Sequence, residues 1–340
     1  MCGKQVPLTA PGWGQRTWRA MGSTAEVVVF GPQPDELAAW AVTEIERLEA
    51  SWSRFRPGSE LCLLNRGADR PAVVSTTLWA PIAAAARAWT ETGGIFDPTI
   101  LGTLQALGYD RTFAELPADL GPGPHPALVV GFGQVGLDPD RREVTLPAGV
   151  GLDLGGIGKG LAADLVVDEL VRRGARSVAV SLGGDVRVGG EGPHGDGAWH
   201  VPVVRPTDET VLGTFPLVDE ALVQSTVCYR TWRGADRQLH HLIDPRTGWP
   251  AETGLAAVVV TGPDAARSEA FAKAALIAGP VDGPALVDGA GLDGWFIATD
   301  GTVTGTPRVA ADLDAVGRSS APTSLLASRP PSLLAGAESS

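Results

Sequence analysis

Residues 240–250 form a polar turn that constrains the backbone more than any other stretch of the chain. They read His-His-Leu-Ile-Asp-Pro-Arg-Thr-Gly-Trp-Pro and include two of the five histidines in the protein. Pro245 fixes its own φ and holds Asp244 out of the helical region, so the pattern predicts a rigid turn. Such a turn can hold His241 and Asp244 at a fixed geometry, to act as a base or to bind an anion. A hairpin turn in which Asp244 caps its own backbone is an equally good interpretation of this stretch alone.

The charge of the chain argues against binding to large polyanions. With 27 Lys plus Arg and 39 Asp plus Glu, the net charge is −12, which repels nucleic acid and anionic membranes but leaves room for a local phosphate pocket. No segment has the roughly 18 consecutive apolar residues of a membrane span, so no stable membrane insertion is expected. The first twenty residues lack the apolar core of a secretory signal, which predicts a cytoplasmic protein as the sequence is written. Cys2-Gly3 resembles the start of a mature lipoprotein, so export is an open alternative.

The hydrophobic periodicity predicts an α+β fold with mostly antiparallel sheet, because runs of strands are interrupted by only some helices. One domain is predicted over 17–306, between a flexible N-terminal segment at 1–16 and a disordered tail at 307–340. On the helix at 161–173, the buried residues are predicted to be Leu165, Val166, Leu170 and Val171. The predicted helices are 34–50, 59–65, 77–92, 161–173 and 264–278. The predicted strands are 25–30, 144–152, 177–182, the meander 199–204, 212–217 and 221–223, and then 256–260 and 294–298.

Asp153 to Asp164 is a second strong feature, with a predicted strand, a Gly-rich turn and a helix in succession. Glycines let the backbone approach a ligand, and the N–H groups of a helix start favour an anion. Lys159 adds a positive charge for phosphate. The spacing matches neither a Walker A loop nor a GxGxxG fingerprint. A Gly-rich helix start with a surface lysine is the plainer alternative.

Two further turns follow strands. Gly183-Gly184-Asp185 ends an apolar strand, and Ser225 to Tyr229 includes the Thr226 hydroxyl, which can bond phosphate. Taken singly, each is more simply an ordinary β-turn. Together they permit separate backbone segments to close on one ligand.

Taken in order, these pieces resemble the ApbE-type flavin transferases (FAD:protein FMN transferases) over roughly residues 18–305. Each motif is weak alone, and their order makes the resemblance specific. The motifs are Met21-Gly22-Ser23-Thr24, Ser53-Arg54-Phe55 with Ser59-Glu60-Leu61 and Leu64-Asn65, Phe96-Asp97-Pro98-Thr99 with Leu107-Gly108-Tyr109, Asp153 to Asp164, Leu182-Gly183-Gly184-Asp185, and His241 to Gly248.

The resemblance implies an ApbE-like, T-fold-related architecture of mixed antiparallel sheets with packed helices. It implies that the pyrophosphate of FAD is cleaved, that FMN passes to a Thr or Ser hydroxyl of a target flavoprotein, and that AMP leaves. Some relatives hydrolyse FAD to FMN and AMP instead. By the same resemblance His241 is the general base of a catalytic turn that includes Asp244, and imidazole has a suitable pKa. Met21 and Phe55 match the residues that enclose the isoalloxazine ring, whereas the other FAD-binding candidates are Phe96, Asp97, Thr99, Asp153, Lys159, Thr226 and Ile243.

The residues at the expected Mg²⁺ site depart from the family pattern. The family has Asp and two hydroxyls on the late helix, where this chain has Glu269, Ala272 and Lys273. A carbonyl in the turn at Gly156 and the Glu269 carboxylate are the remaining candidate ligands, and an ammonium cannot bind a metal. We hypothesise that Lys273 takes the place of the metal, pairs with Glu269 at i, i+4 and neutralises the pyrophosphate. The plainer alternative is that the helix faces differently and both residues are solvated. Two other functions stay open: a non-catalytic FAD-binding protein, and a Mg²⁺-dependent FAD diphosphatase giving FMN and AMP, which the missing ligands disfavour.

Overall fold

The structure is a computed structural model that describes residues 12–120, 125–193, 195–234 and 237–309. The helices are α1 (Pro34–Trp52), α2 (Glu60–Arg66), α3 (Thr76–Glu91), α4 (Leu101–Ala106), α5 (Gly158–Arg172) and α6 (Ala265–Gly289). The strands are β1 (Gly12–Ala20), β2 (Ser23–Gly31), β3 (Ala72–Val73), β4 (Gly136–Asp138), β5 (Glu143–Thr145), β6 (Ser177–Leu182), β7 (Asp185–Gly190), β8 (Trp199–Val204), β9 (Val211–Leu217), β10 (Ala221–Thr226), β11 (Thr231–Gly234), β12 (Arg237–His240), β13 (Leu255–Gly262), β14 (Asp293–Ala298) and β15 (Val303–Gly305). This confirms the predicted α+β fold with antiparallel sheet.

An eight-stranded antiparallel sheet, in the order β1-β2-β6-β7-β10-β13-β14-β15, organises the chain. Its first two strands form a hairpin whose turn residues, Met21 and Gly22, both have positive φ, at 49° and 70°. Such a turn matches the twist of the strands it joins. The prediction of a loose segment over 1–16 is wrong for residues 12–16, because they pair with β2; residues 1–11 lie outside the described part.

The two faces of this sheet are covered differently. Helices α1, α5 and α6 pack on one face and form the larger hydrophobic core. The β8–β9 hairpin covers the other face, where Trp199 packs in a second core with Val28 and Ala179. The predicted meander is therefore wrong in part, because β8 and β9 form a sheet of their own and β10 belongs to the large one.

Several predicted boundaries also change. Of the strand predicted at 144–152, only Val144 and Thr145 belong to a strand, β5, and Pro147 stands two residues after its end. On α5, Val166 and Leu170 are buried as predicted, but Leu165 and Val171 are 38% and 41% exposed. The buried face of the helix instead includes the smaller residues Ala162, Ala163 and Val167.

The longest helix, α6, is bent in the middle. Gly279 has φ 88° and stands immediately before Pro280, which breaks the helix just after the end predicted at 278. The helix is long and apolar enough to cross a membrane by length and composition, but more than half of the apolar window is buried, at 56%. It packs against β10, β13 and β14, so its apolar side chains belong to the core. The predicted tail is wrong at its first residues, because Val309 is buried in the second core; residues 310–340 lie outside the described part.

Helices α5 and α6 approach each other closely at Gly160. A Cβ there would lie 2.4 Å from the carbonyl oxygen of Ala265. One turn later, Asp164 accepts hydrogen bonds from the N–H groups of Ala265 and Ala266 at 2.8 and 2.9 Å. The start of α6 is therefore fixed against α5 by a close backbone contact and a carboxylate cap.

We expect Gly160→Ala to destabilise the fold by about 1–3 kcal/mol, because the added methyl group overlaps backbone. Gly102→Ala in α4 is the matched control, since no atom lies within 4 Å of its Cβ position. It should be neutral or stabilise by up to about 1 kcal/mol. Urea unfolding of the two variants measures both effects. Equal stability of Gly160→Ala and the parent protein would contradict the tight contact.

Candidate functional site

Two clefts open at one end of the large sheet and meet. The aromatic cleft lies on the helix-covered face, encloses about 1090 Å³, part of it open to solvent, and is lined by Met21, Phe55, Phe96, Tyr109 and Ile243 among others. The polar groove lies between the large sheet and β8 and is lined by Thr24, Ser181, Gln224, Ser225 and Thr226 among others. Five residues line both clefts, and we call them the junction: Gly155, Lys159, Arg230, His241 and Lys273.

Most of the residues predicted from the sequence line these clefts. Those at the aromatic cleft are Met21, Phe55, Phe96, Asp97, Asp153, Gly156, Lys159, His241, Ile243 and Lys273, and Thr226 lines the groove. Glu269 lies behind the junction with no exposed side-chain surface. Thr99 and Asp244 line neither cleft.

A buried ion pair forms one wall of the aromatic cleft. Arg54 contacts the Asp153 carboxylate at 2.8 Å, and both side chains are almost completely buried. The Arg54 guanidinium stands 4.1 Å from the ring centre of Phe55 and 4.4 Å from that of Tyr109. Charge pairing with Asp153 therefore holds a cation against two rings, which fixes Phe55 at the cleft. Sequence reasoning missed Arg54 as a site residue, although it stands inside the quoted Ser-Arg-Phe motif.

Asp97 and Thr99 support the loop that carries Phe96. The Asp97 carboxylate accepts hydrogen bonds from Thr99 N–H at 2.8 Å and from the Thr99 hydroxyl at 2.5 Å. Its second oxygen accepts from Trp89 Nε1 at 3.1 Å and from Phe132 N–H at 3.0 Å. With both oxygens used in this way, Asp97 orders the floor of the cleft.

Glu269 is the centre of a charged cluster behind the junction. Its Oε1 accepts hydrogen bonds from Lys159 Nζ at 2.9 Å and from Lys273 Nζ at 3.0 Å, and its Oε2 accepts from Gly160 N–H at 2.8 Å. Lys159 also pairs with the buried carboxylate of Asp185. Burial alone would raise the pKa of Glu269, but the two lysines outweigh it and lower the pKa to about 2. The Glu269–Lys273 pair predicted from the sequence is present, and the alternative in which both residues are solvated is wrong.

The cluster does not fit a Mg²⁺ site. Both oxygens of Glu269 already accept hydrogen bonds, and two ammonium groups stand where a cation would be repelled. Among the residues that the structure describes, no group of three or more His, Cys, Asp and Glu side chains could hold a metal ion. Glu269, which was predicted to share a metal with the Gly156 carbonyl, therefore has both of its oxygens in use.

The two adjacent histidines differ in their surroundings. His240 Nδ1 accepts the Leu242 N–H at 3.3 Å, so its Nε2 donates to the Ala251 carbonyl at 3.1 Å, and the ring is part of the scaffold. His241 reaches the junction, and its buried Nδ1 has no hydrogen-bond partner among the described residues. Burial, reinforced by Arg230 and Lys273, lowers the pKa of His241 well below its ordinary value. A neutral imidazole with a free nitrogen is suited to accept a proton.

The turn after His241 is capped by its own aspartate. Asp244 accepts hydrogen bonds from Arg246 N–H and Nε, both at 2.9 Å. Gly248, at φ 74°, donates its N–H to the Asp244 carbonyl at 2.8 Å. The Asp cap proposed as the plain interpretation is therefore present, and the turn sets the position of Ile243 and His241 through its rigidity. Arg230, which no sequence signal singled out, supplies the remaining charge at the junction.

We expect Lys159→Met to cost about 3–5 kcal/mol of stability, because it leaves Asp185 and Glu269 buried with one lysine between them. Lys273→Met should cost no more than about 2 kcal/mol, because Glu269 keeps Lys159 and the Gly160 N–H as partners. The two variants remove the same charge from the same cluster and control for each other. Urea unfolding measures the difference, and an equal cost would contradict the asymmetry.

Comparison with known proteins agrees with the geometry. The family model described as "ApbE family" matches residues 21–296. The chain is 30% identical over 326 residues to the FAD:protein FMN transferase of Rhodobacter capsulatus, covering 91% of this chain and 60% of that protein. It is also 30% identical to the FAD:protein FMN transferase of Treponema pallidum, covering 82% and 83%.

Solved structures show the same fold. An ApbE protein from Thermotoga maritima superposes with a TM-score of 0.78 at 24% identity, covering 87% of this chain and 98% of that one. The flavinyl transferase ApbE of Pseudomonas stutzeri superposes with a TM-score of 0.75 at 23% identity, covering 92% and 100%. The chain belongs to the ApbE family, whose curated relatives above are named FAD:protein FMN transferases.

Proposed function

We propose that this chain is an FAD:protein FMN transferase that works without a bound Mg²⁺ ion. A Thr or Ser hydroxyl of a target flavoprotein attacks the phosphorus on the FMN side of the FAD pyrophosphate. The new bond joins the hydroxyl oxygen to that phosphorus, the bond to the bridging oxygen breaks, and AMP leaves with both of its bonding electrons. The hydroxyl proton passes to the acceptor nitrogen of a base. This transfer needs a flavin site, a pyrophosphate site and a base in contact.

The junction is the observation that carries this proposal. It places His241, whose Nδ1 is free, beside Lys159 and Lys273, at the mouth of a cleft lined by aromatic and apolar side chains. The cleft suits a flavin ring, with the Met21 thioether and the Phe55 ring as the expected contacts. The lysines suit a pyrophosphate.

His241 is proposed to take the proton of the acceptor hydroxyl. Its low pKa keeps the ring neutral at neutral pH, so that a nitrogen lone pair is available before the substrate binds. The rigid turn at Asp244 and the anchored ring of His240 keep the imidazole from turning away from the junction.

Lys273 is proposed to supply the charge that a metal supplies elsewhere in catalysis. Its side chain is 12% exposed, so the ammonium is largely shielded from water, and a preorganised charge in such a site stabilises a developing phosphate charge strongly. Glu269 orients the Lys273 ammonium. Lys159 pairs with both Glu269 and Asp185 and so offsets part of their negative charge. The cluster therefore holds an ammonium group at the junction, and this positive charge does not depend on a bound metal ion.

The first test mixes the protein with FAD and a flavoprotein domain that accepts FMN, with EDTA present. We expect a covalent FMN mass gain on the acceptor and release of AMP, with no loss of rate on adding EDTA. Free FMN and AMP without a labelled acceptor would indicate a diphosphatase, and bound FAD with no turnover would indicate a flavin-binding protein. A steep rise in rate with added Mg²⁺ would contradict the role given to Lys273.

The Lys273→Met variant tests the charge directly. We expect the transfer rate to fall about 10²–10³-fold, because one preorganised charge at the transferring phosphate is lost. Lys273→Arg keeps the charge and should retain more of the rate. Flavin fluorescence on titration with FAD checks that binding in the aromatic cleft persists in both variants. An unchanged rate in Lys273→Met would rule out the proposed role.

The pH profile tests His241. A protonated imidazole cannot accept a proton, so a lowered pKa keeps kcat/KM constant as the pH falls past 6.5, the ordinary value for histidine. Lys273 is one of the charges that lower this pKa, so Lys273→Met should move the acid limb to higher pH. Arg172→Met, on the exposed side of α5, should leave the limb in place. His241→Ala with an unchanged rate would remove the base assignment.

A further inference from the structure

Strand β10 extends past the strand beside it. It runs to Thr226, but β7 pairs with it only at Ala221 and Leu222. The cause is the two-glycine turn at Gly183–Gly184, which ends the β6–β7 hairpin at Asp185. On its other side, β10 is paired along its whole length with β13. The last part of β10 therefore has one unpaired edge, although the strand lies between β7 and β13 in the sheet.

The backbone groups on this edge point into the polar groove. In an antiparallel strand alternate residues direct both N–H and C=O to the same side, so Leu222, Gln224 and Thr226 face β7. The Gln224 N–H donates to the Asp185 carboxylate at 3.1 Å. Across the ranges that the structure describes, no backbone group pairs with the Gln224 carbonyl or with the Thr226 N–H.

The groove beside this edge has further polar groups. Ser225 is 5% exposed, lines the groove, and its hydroxyl has no hydrogen-bond partner in the described chain. Ser181 lies on the sheet between β2 and β7 and forms part of the groove floor. The groove ends at His241 and Lys159, which it shares with the aromatic cleft.

We propose that the acceptor segment of the target protein binds here as an added strand along Gln224–Thr226, which brings its hydroxyl to His241. The proposal rests on the transferase function proposed above and specifies that the acceptor segment is recognised as an extended strand. Backbone hydrogen bonds to a free edge provide affinity for an extended peptide, and pockets beside the edge select alternate side chains. The groove reaches the junction from the opposite face of the sheet to the aromatic cleft. The flavin in the aromatic cleft and the acceptor hydroxyl in the groove therefore both reach the junction without competing for one surface, and in-line displacement then requires the AMP oxygen to leave on the side of the phosphorus opposite the hydroxyl.

A peptide fits this groove better than the AMP half of FAD does. A nucleotide offers no alternating N–H and C=O groups to match the edge of β10. Away from the junction, the charged side chains that line the groove are those of Glu26 and Asp185, and Asp185 is paired with Lys159, so a second phosphate would meet no unpaired cation in this part of the groove among the described residues. The AMP half is the competing occupant, and the experiment separates the two.

The binding experiment uses the full chain, FAD and a library of twelve-residue peptides with one fixed central Thr. Peptides that bind the immobilised protein are sequenced and resynthesised with single N-methyl groups along the backbone. We expect N-methylation at every second position on one side of Thr to weaken binding about fivefold to tenfold, the effect of one lost backbone hydrogen bond. Intervening positions should be tolerated. Uniform sensitivity, or binding of no peptide while an intact acceptor domain is labelled, would overturn the proposal.

The matched variants are Ser181→Trp, which fills the groove floor, and Thr304→Trp, which lies exposed on the far edge strand β15 of the same sheet. We expect Ser181→Trp to raise the KM for the peptide about tenfold or more and to leave the FAD dissociation constant unchanged. Thr304→Trp should change neither. Ser181→Leu repeats the test with a smaller side chain if Ser181→Trp folds poorly, as judged by circular dichroism. Weaker FAD binding with an unchanged peptide KM would place AMP in the groove and overturn the proposal.

The transferase function and the added-strand site are tested separately by these experiments. Peptides that bind with the alternating pattern but gain no FMN would remove the transferase function and keep the added-strand site. FMN transfer to an acceptor domain, with no alternating pattern and no effect of Ser181→Trp, would keep the function and remove the site.

Discussion

The site depends on one buried carboxylate that is shared by two lysines. Glu269 has no solvent exposure, and its oxygens accept hydrogen bonds from Lys159, Lys273 and the Gly160 N–H. An unpaired charge there would be too costly to bury, so each lysine is held in place by the need to neutralise it. Because Lys159 also neutralises Asp185, the cluster joins α5, α6 and β7 at the point where the two clefts meet. The position of the charge proposed to act in catalysis is thus a consequence of how these three elements pack together.

The same cluster explains why histidine is suited to the junction. Burial, reinforced by the cations around His241, lowers its pKa and keeps its ring neutral. A metal at this place would also supply positive charge, and the lysines supply it through fixed ion pairs instead. In the proposed mechanism the flavin and the acceptor bind to different surfaces. The ring binds in the apolar cleft, and the peptide binds along the polar strand edge.

Contacts that follow from local periodicity could be predicted from the sequence. The Glu269–Lys273 pair is an example, since residues four apart on a helix are neighbours. The Asp244 cap is another, because a proline and a short carboxylate side chain set the turn by themselves. On α5 the same reasoning was wrong for Leu165 and Val171, because small residues let α6 come close and turned the buried stripe toward Ala162 and Ala163.

The sequence by itself determined the order of the motifs, the rigid turn after His241 and the absence of a hydroxyl from the side chains of Ala272 and Lys273. These are statements about residue type and near neighbours, which the chain carries in any fold. Only the tertiary structure decided that Lys159 meets Glu269 across 110 positions of sequence and that Arg54 meets Asp153. It also decided that β10 extends past β7, because the position at which the β6–β7 hairpin ends along β10 depends on the register of the sheet. Long-range charge pairing and register result from packing of the whole core, and no local pattern encodes them.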